Sequence, residues 1–153
     1  GAVMKKILVP LMLFALLLCL SGCSSKDISL DVNELAEDVL KNAEFTDDLA
    51  SVDAEAAASL YGIEGAVNQV VYMGSGATAE EIAVFEFESE DEAGKAIENA
   101  KKRIDDQEKA FEDYAPAEIP KLQSAVIKTG GKYLAVCVGG GKQAEEIINK
   151  YFE

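Results

Sequence analysis

The segment from Ser89 to Tyr114 constrains the fold more than any other part of the chain. Ser89 and Glu92 have the spacing of a capping box, and Ala93, Ala96, Ile97, Ala100, Ile104, Phe111 and Tyr114 then recur along one side of a helix of roughly six turns. Pro116 and Pro120 stop it. A helix this long with one apolar side must cover something, and the segments beside it supply a sheet. Val67 to Met73 and Ile82 to Glu88 are β-branched and aromatic runs joined by the flexible Gly74-Ser75-Gly76-Ala77-Thr78. Leu122 to Lys128 and Lys132 to Val138 are joined by Thr129-Gly130-Gly131, a glycine pair suited to the positive φ angles of a tight hairpin.

Helices flank this centre. After Gly139-Gly140-Gly141, the residues Ala144, Ile147, Ile148, Tyr151 and Phe152 lie on one side of a closing helix. Upstream, Asp31 with Glu34 opens a helix through Val32, Leu35, Ala36, Val39 and Leu40 to about Asn42. A second helix is expected through Leu49, Val52, Ala56, Ala57 and Leu60 to Tyr61, with Gly62 ending it in the left-handed conformation. The expected class is α+β: two N-terminal helices, then two strand-strand-helix units. Each unit can bury its helix on its hairpin, which predicts a four-stranded, mainly antiparallel sheet with both long helices on one face.

The N-terminal stretch predicts where the chain works. Met4-Lys5-Lys6 carries two positive charges, and Ile7 to Leu20 is apolar except for Pro10 and Cys19, a secretory signal peptide too short to span a bilayer comfortably. Leu20-Ser21-Gly22-Cys23 resembles the lipobox of bacterial lipoproteins. That resemblance implies cleavage before Cys23 and a diacylglycerol on its sulfur. Gly1-Ala2-Val3 fits no part of a signal peptide and is set aside as a cloning remnant or a misplaced start. The expected organisation is residues 1–22 removed, 23–29 a lipidated cysteine and short tether, and 30–153 one globular domain. Six tether residues span at most roughly 20 Å, so the domain would sit close to the membrane.

Removing the first 22 of 153 residues leaves 131, the size of one ordinary domain and about half of what a two-lobed solute receptor needs. Without Lys5 and Lys6, twelve basic residues face twenty-eight acidic ones, a formal charge of −16. Phosphate-directed nucleic-acid binding is excluded on that balance, and an anionic membrane surface would repel the domain, leaving the lipid as its attachment. Cys137, in the strand-like Tyr133 to Val138, is the only thiol left and reads as a small buried hydrophobe. The chain contains no histidine to activate it.

Three places could carry function, each with a plainer reading beside it. Gly139, Gly140, Gly141 and Lys142 follow a strand and open a helix, where free N–H groups could meet an anion. They lack the spacing of a nucleotide-binding loop and read first as a strand-to-helix turn. The Gly74–Glu81 loop offers Ser75, Gly76, Thr78 and Glu81 as a binding edge. Thr78 and Glu81 have capping-box spacing, which predicts a single helical turn. The outer side of the long helix carries Lys95, Lys101, Lys102, Arg103 and Lys109, with Glu98 and Asp105 each four residues before a lysine, as on an ordinary solvated helix. No acidic run has the ligand spacing of a calcium loop. No catalytic residue, metal or cofactor is therefore assigned.

Tyr61-Gly62-Ile63, Gly76 to Phe85, Arg103 with Gln107, Phe111 and Tyr114, and Ala144-Glu145-Glu146-Ile147-Ile148 resemble a family of lipoproteins labelled domain of unknown function 4358, over roughly residues 31 to 153. The resemblance implies an extracytoplasmic, lipid-anchored domain of a Gram-positive-type bacterium, on the outer face of its cytoplasmic membrane. It implies no reaction. The functional expectation is a non-enzymatic module that binds an envelope protein or polymer. The alternative is a small-ligand or anion receptor using the Gly74–Glu81 or Gly139–Lys142 loop, with the oligomeric state open.

Overall fold

The computed structural model describes residues 27–153, so the signal-peptide and Cys23 readings lie outside the described residues. Within them, helix α1 (Val32–Asn42) begins where the Asp31 carboxylate accepts the N–H groups of Asn33 and Glu34. The chain continues through β1 (Ala50–Val52), α2 (Ala54–Tyr61), β2 (Asn68–Met73) and β3 (Glu81–Glu86) to the long helix α3 (Glu90–Tyr114). A 3-10 turn (Pro116–Glu118), α4 (Ile119–Gln123), β4 (Val126–Gly130), β5 (Tyr133–Val138) and α5 (Gly141–Tyr151) complete it. The α+β class stands, with five α-helices and one antiparallel sheet ordered β1-β2-β3-β5-β4. Among the described residues, no helix is long and apolar enough to cross a membrane.

Two expectations are corrected. The sheet has five strands rather than four, because Ala50, Ser51 and Val52 pair with Met73, Tyr72 and Val71 instead of continuing a helix. Asp53 decides the boundary: its carboxylate accepts the Ala56 N–H, so α2 starts after it. The two long helices lie on opposite faces rather than one. The central strands β3 and β5 are apolar on both sides, so each side needs a cover. Ala83, Phe85, Leu134, Val136 and Val138 meet α3 and α2, whereas Ile82, Val84, Tyr133, Ala135 and Cys137 meet α1 and α5.

Smaller boundaries also move. Leu122 belongs to α4, buried beneath α3, and β4 starts only at Val126. Pro116 and Pro120 therefore end one helix and begin two short ones, since proline fits the first helical turn. Ser89 caps α3 through the Glu92 N–H, and Gly62 ends α2 at φ +63°, as the sequence predicts.

Because β2, β3 and β5 alternate in direction, the sheet has two distinct ends. Glu86 pairs with Tyr133 beside the Gly131 turn, and at the other end Glu81 pairs with Val138. The Gly74–Glu80 connection and the Gly139–Gly141 connection thus emerge at the same end. Helix α1 delivers a third segment there, where Glu44 bridges to Gly140.

Candidate functional site

Three buried carboxylates organise this end of the sheet. Glu80, buried just before β3, accepts the N–H groups of Thr46 and Asp47 at 2.9 Å each, the Thr46 hydroxyl at 2.9 Å and Lys121 Nζ at 3.1 Å. Lys121 also reaches Glu118, which in turn accepts the Ala79 N–H at 2.9 Å. Glu81, one residue further, turns to the opposite face, as alternation along a strand requires. It receives the Arg103 guanidinium at two points and the Tyr61 hydroxyl. The same guanidinium lies 5.8 Å from the Tyr61 ring centroid.

Asp47 fastens the Gly74–Glu81 loop from outside. Its Oδ2 accepts the Ser75 N–H, the Ser75 hydroxyl and the Thr78 hydroxyl, each at 2.9 Å. The Gly74 N–H closes the loop on the Glu80 carbonyl at 3.0 Å. A β-carbon on Gly74 would stand 2.7 Å from Asp47 Oδ2, so the close approach of the two segments needs glycine there. At the neighbouring connection, Gly139 has φ +86°, and a β-carbon on it would stand 2.9 Å from Glu80 Cγ.

The electrostatics follow from these contacts. Burial alone would raise the Glu80 carboxyl, but the Thr46 and Asp47 N–H groups, the Thr46 hydroxyl and Lys121 outweigh it and hold it below its ordinary value. Asp47 is lowered by the backbone and hydroxyl of Ser75 and then by Thr78. Burial opposes the charge on Lys121 and Arg103, yet their carboxylate partners win and raise both. Burial, then the Glu81 charge, holds the Tyr61 phenol well above its usual value. Burial pushes the Cys137 thiol up to about 12. A general acid at neutral pH requires a raised carboxyl, and Glu80 moves the other way.

A cleft of about 390 Å³ opens between these segments, lined by Glu44, Thr46, Glu80, Lys121, Ser124, Val126, Gly139 to Lys142 and Glu145. Helix α5 starts at its wall with Gly140 as N-cap and no side-chain cap bond. Among the described residues, no three metal-ligating side chains are grouped to hold an ion.

The sequence-predicted residues fall into two groups. Ser75, Gly76 and Thr78 form a surface loop, and Gly139, Gly140, Gly141 and Lys142 border the cleft, so the two expected loops share one end of the sheet. Glu81 is not part of that surface: it is 4% exposed and committed to Arg103 and Tyr61. The expected helical turn at Thr78 is absent, because its hydroxyl donates to Asp47 rather than capping a helix. Arg103 is corrected from the outer side of α3 to its inner side, at 8% exposed. On the outer side, Lys95, Lys101 and Lys102 pair with Asp91, Glu98 and Asp106 within the helix.

Sequence reasoning passed over Asp47, Glu80, Glu118 and Lys121. Asp47 stands in an irregular segment and Lys121 in a helix of five residues, too short to show periodicity, but Arg103 was visible: it continues the Ala93, Ala96, Ala100 stripe by three residues. Comparison with curated proteins and with solved structures finds no match to either. A family model does match, over residues 41–139, a span that contains both carboxylate clusters and ends at the first glycine of the cleft. The chain belongs to the family described as a domain of unknown function, DUF4358.

Proposed function

We propose that the chain is a lipid-anchored, extracytoplasmic binding module, acting without catalysis and recognising an envelope protein or polymer through the Gly74–Glu81 end of its sheet. The observation that carries this reading is how the ionisable groups there are used. Asp47, Glu80 and Glu118 each bind backbone N–H groups of a loop, so their charge goes into holding a surface in one shape. A preorganised polar surface loses little entropy on binding. The lipobox-like Leu20-Ser21-Gly22-Cys23 supports the location.

The test is crosslinking in intact producer cells, with mass spectrometry of whatever is joined to the chain. One reproducible partner, crosslinked through the loop end and lost in Ala77→Trp and in Lys142→Glu, supports the reading. Repeated failure under conditions that capture a control lipoprotein's known partner counts against it. Exchanging Cys23 for serine should release the chain from membranes.

The cleft favours a second reading, a receptor for a small anionic ligand held between Lys121 and the Gly139–Lys142 turn. Titration with inorganic phosphate and with acetate, followed by amide NMR, separates the two. Saturable shifts confined to residues 120–122 and 139–143 would favour the receptor.

A further inference from the structure

The point where the chain enters the fold is recorded at Ile28. Its side chain lies against the Gly130–Gly131 turn beside Phe152, so closely that a β-carbon on Gly130 would be 2.5 Å from Ile28 Cδ1 and 2.7 Å from Phe152 Cδ1. This is the end of the sheet opposite the loops and cleft described above. From Ile28 the chain passes into α1, whose eleven residues climb roughly 16 Å to the segment where Glu44 meets Gly140.

We infer that the domain stands on the membrane with its Gly130–Gly131 hairpin toward the bilayer and its Gly74–Glu81 and Gly139–Lys142 loops outward, so that its partner is met on the side away from the lipid. The inference rests on the lipid-anchor reading of Cys23. Cys23 precedes Ile28 by five residues, which bridge at most roughly 18 Å. The attachment therefore pulls on the hairpin end alone. Lying flat is opposed by charge: past its first turns beside the hairpin, the stretch of α3 from Glu98 to Tyr114 carries six acidic residues against three exposed basic ones, Arg103 being buried, and an anionic bilayer repels such a flank within about a Debye length.

The experiment uses the lipoprotein recovered from its own membranes and placed in phosphatidylglycerol–phosphatidylcholine vesicles that carry a lipid-linked acceptor dye. A donor dye is attached at Glu88→Cys, beside the hairpin end, or at Ala77→Cys, in the outer loop; both sites are exposed and Cys137 is buried. The six residues of β3 lie between them, a rise of about 17–20 Å. Energy transfer to the membrane is expected to be several-fold stronger from position 88 than from position 77. Equal transfer, or stronger transfer from position 77, in protein that floats with the vesicles overturns the orientation and leaves the anchor standing. Protein that does not float with them, or that floats equally well as Cys23→Ser, overturns the anchor and the orientation with it.

Discussion

Arg103 Nη2 lies 2.7 Å from Oε1 of Glu81 and Nε lies 3.3 Å from Oε2, joining the middle of the long helix to the first residue of a central strand. Their side chains are 8% and 5% exposed, and the Tyr61 hydroxyl completes the carboxylate's shell. A pair this buried repays its desolvation only when its hydrogen bonds are filled, as they are here. Its structural consequence is to set the axial position of α3 on the sheet, which contacts that merely slide past one another do not specify.

Removing one partner should therefore cost more than removing both. Arg103→Met leaves Glu81 buried and uncompensated, and urea unfolding should show a loss of about 3–5 kcal/mol. Adding Glu81→Met should recover much of that loss, since the second substitution removes the stranded charge. A single variant within about 0.5 kcal/mol of the parent, or a double variant no better than the single, would show that the pair does not hold the helix in place.

The glycines at the cleft should respond unequally to alanine. Gly139 combines φ +86° with a contact at 2.9 Å to Glu80 Cγ, and Gly140 combines φ +72° with contacts at 2.8 Å to Ala144 Cβ and 3.0 Å to Phe45 Cζ. Gly76 has φ +94° but open space around it. Gly76→Ala should lose only the backbone term, about 1–2 kcal/mol, and both other variants more than that. Thermal unfolding of the three variants checks the order. A Gly139→Ala variant as stable as Gly76→Ala would mean that Glu80 yields to the new atom.

How much of this was legible depended on whether a local rule sufficed. Asp31, Ser89 and Gly62 mark helix ends by chemistry that acts within four residues, and each boundary appeared where the sequence placed it. Strand β1 was missed because three residues carry no measurable alternation, while Leu49, Val52 and Ala56 happen to fall at helical spacing across the Asp53 cap. Periodicity shows that a helix has an apolar side, yet it does not say which face of a sheet that side covers. The unbroken apolar runs of β3 and β5 held the answer, because strands buried on both sides need helices on both sides. At the candidate site, both glycine connections were found, but the carboxylates that hold them act across 28 to 39 residues of sequence. No short-range pattern encodes such pairs.

Cys137 should be inert in the folded protein. It is 1% exposed, its Sγ lies 3.6 Å from the Gly139 carbonyl oxygen, and burial raises it to about 12, so at pH 8 almost no thiolate exists. Iodoacetamide labelling, quantified on the peptide containing Cys137, should proceed only as fast as the protein unfolds. Rapid labelling under native conditions would place this thiol in a more open environment than the interface between the sheet and α5.

The loop end should loosen in acid before the core does. Asp47 and Glu80 both have lowered pKa values when folded, so each binds a proton more readily in the open chain. Their stabilisation is complete above the unfolded values, about 4, and disappears as the pH falls through the lower folded values. Amide exchange at Thr46, Asp47 and Ser75 should accelerate in that window while Val84 and Val136 stay protected. Loss of protection at these amides already above pH 5, or simultaneous loss across the sheet, would assign the acid transition elsewhere.

Lys121 offers a way to move that transition. It bridges Glu80 and Glu118 with its side chain 27% exposed, so Lys121→Met keeps the stem's packing and removes only the charge. Glu80 would retain the donors from Thr46 and Asp47 but lose its cation, and burial would weigh more heavily against the carboxylate. The acid release of the Thr46 and Asp47 amides should shift to higher pH. Thr46→Val, which deletes one hydroxyl donor and leaves the cation, should shift it in the same direction by at least as much. If Lys121→Met leaves the midpoint where it was, the Thr46 and Asp47 donors alone hold Glu80, and the lysine serves the cleft rather than the fold.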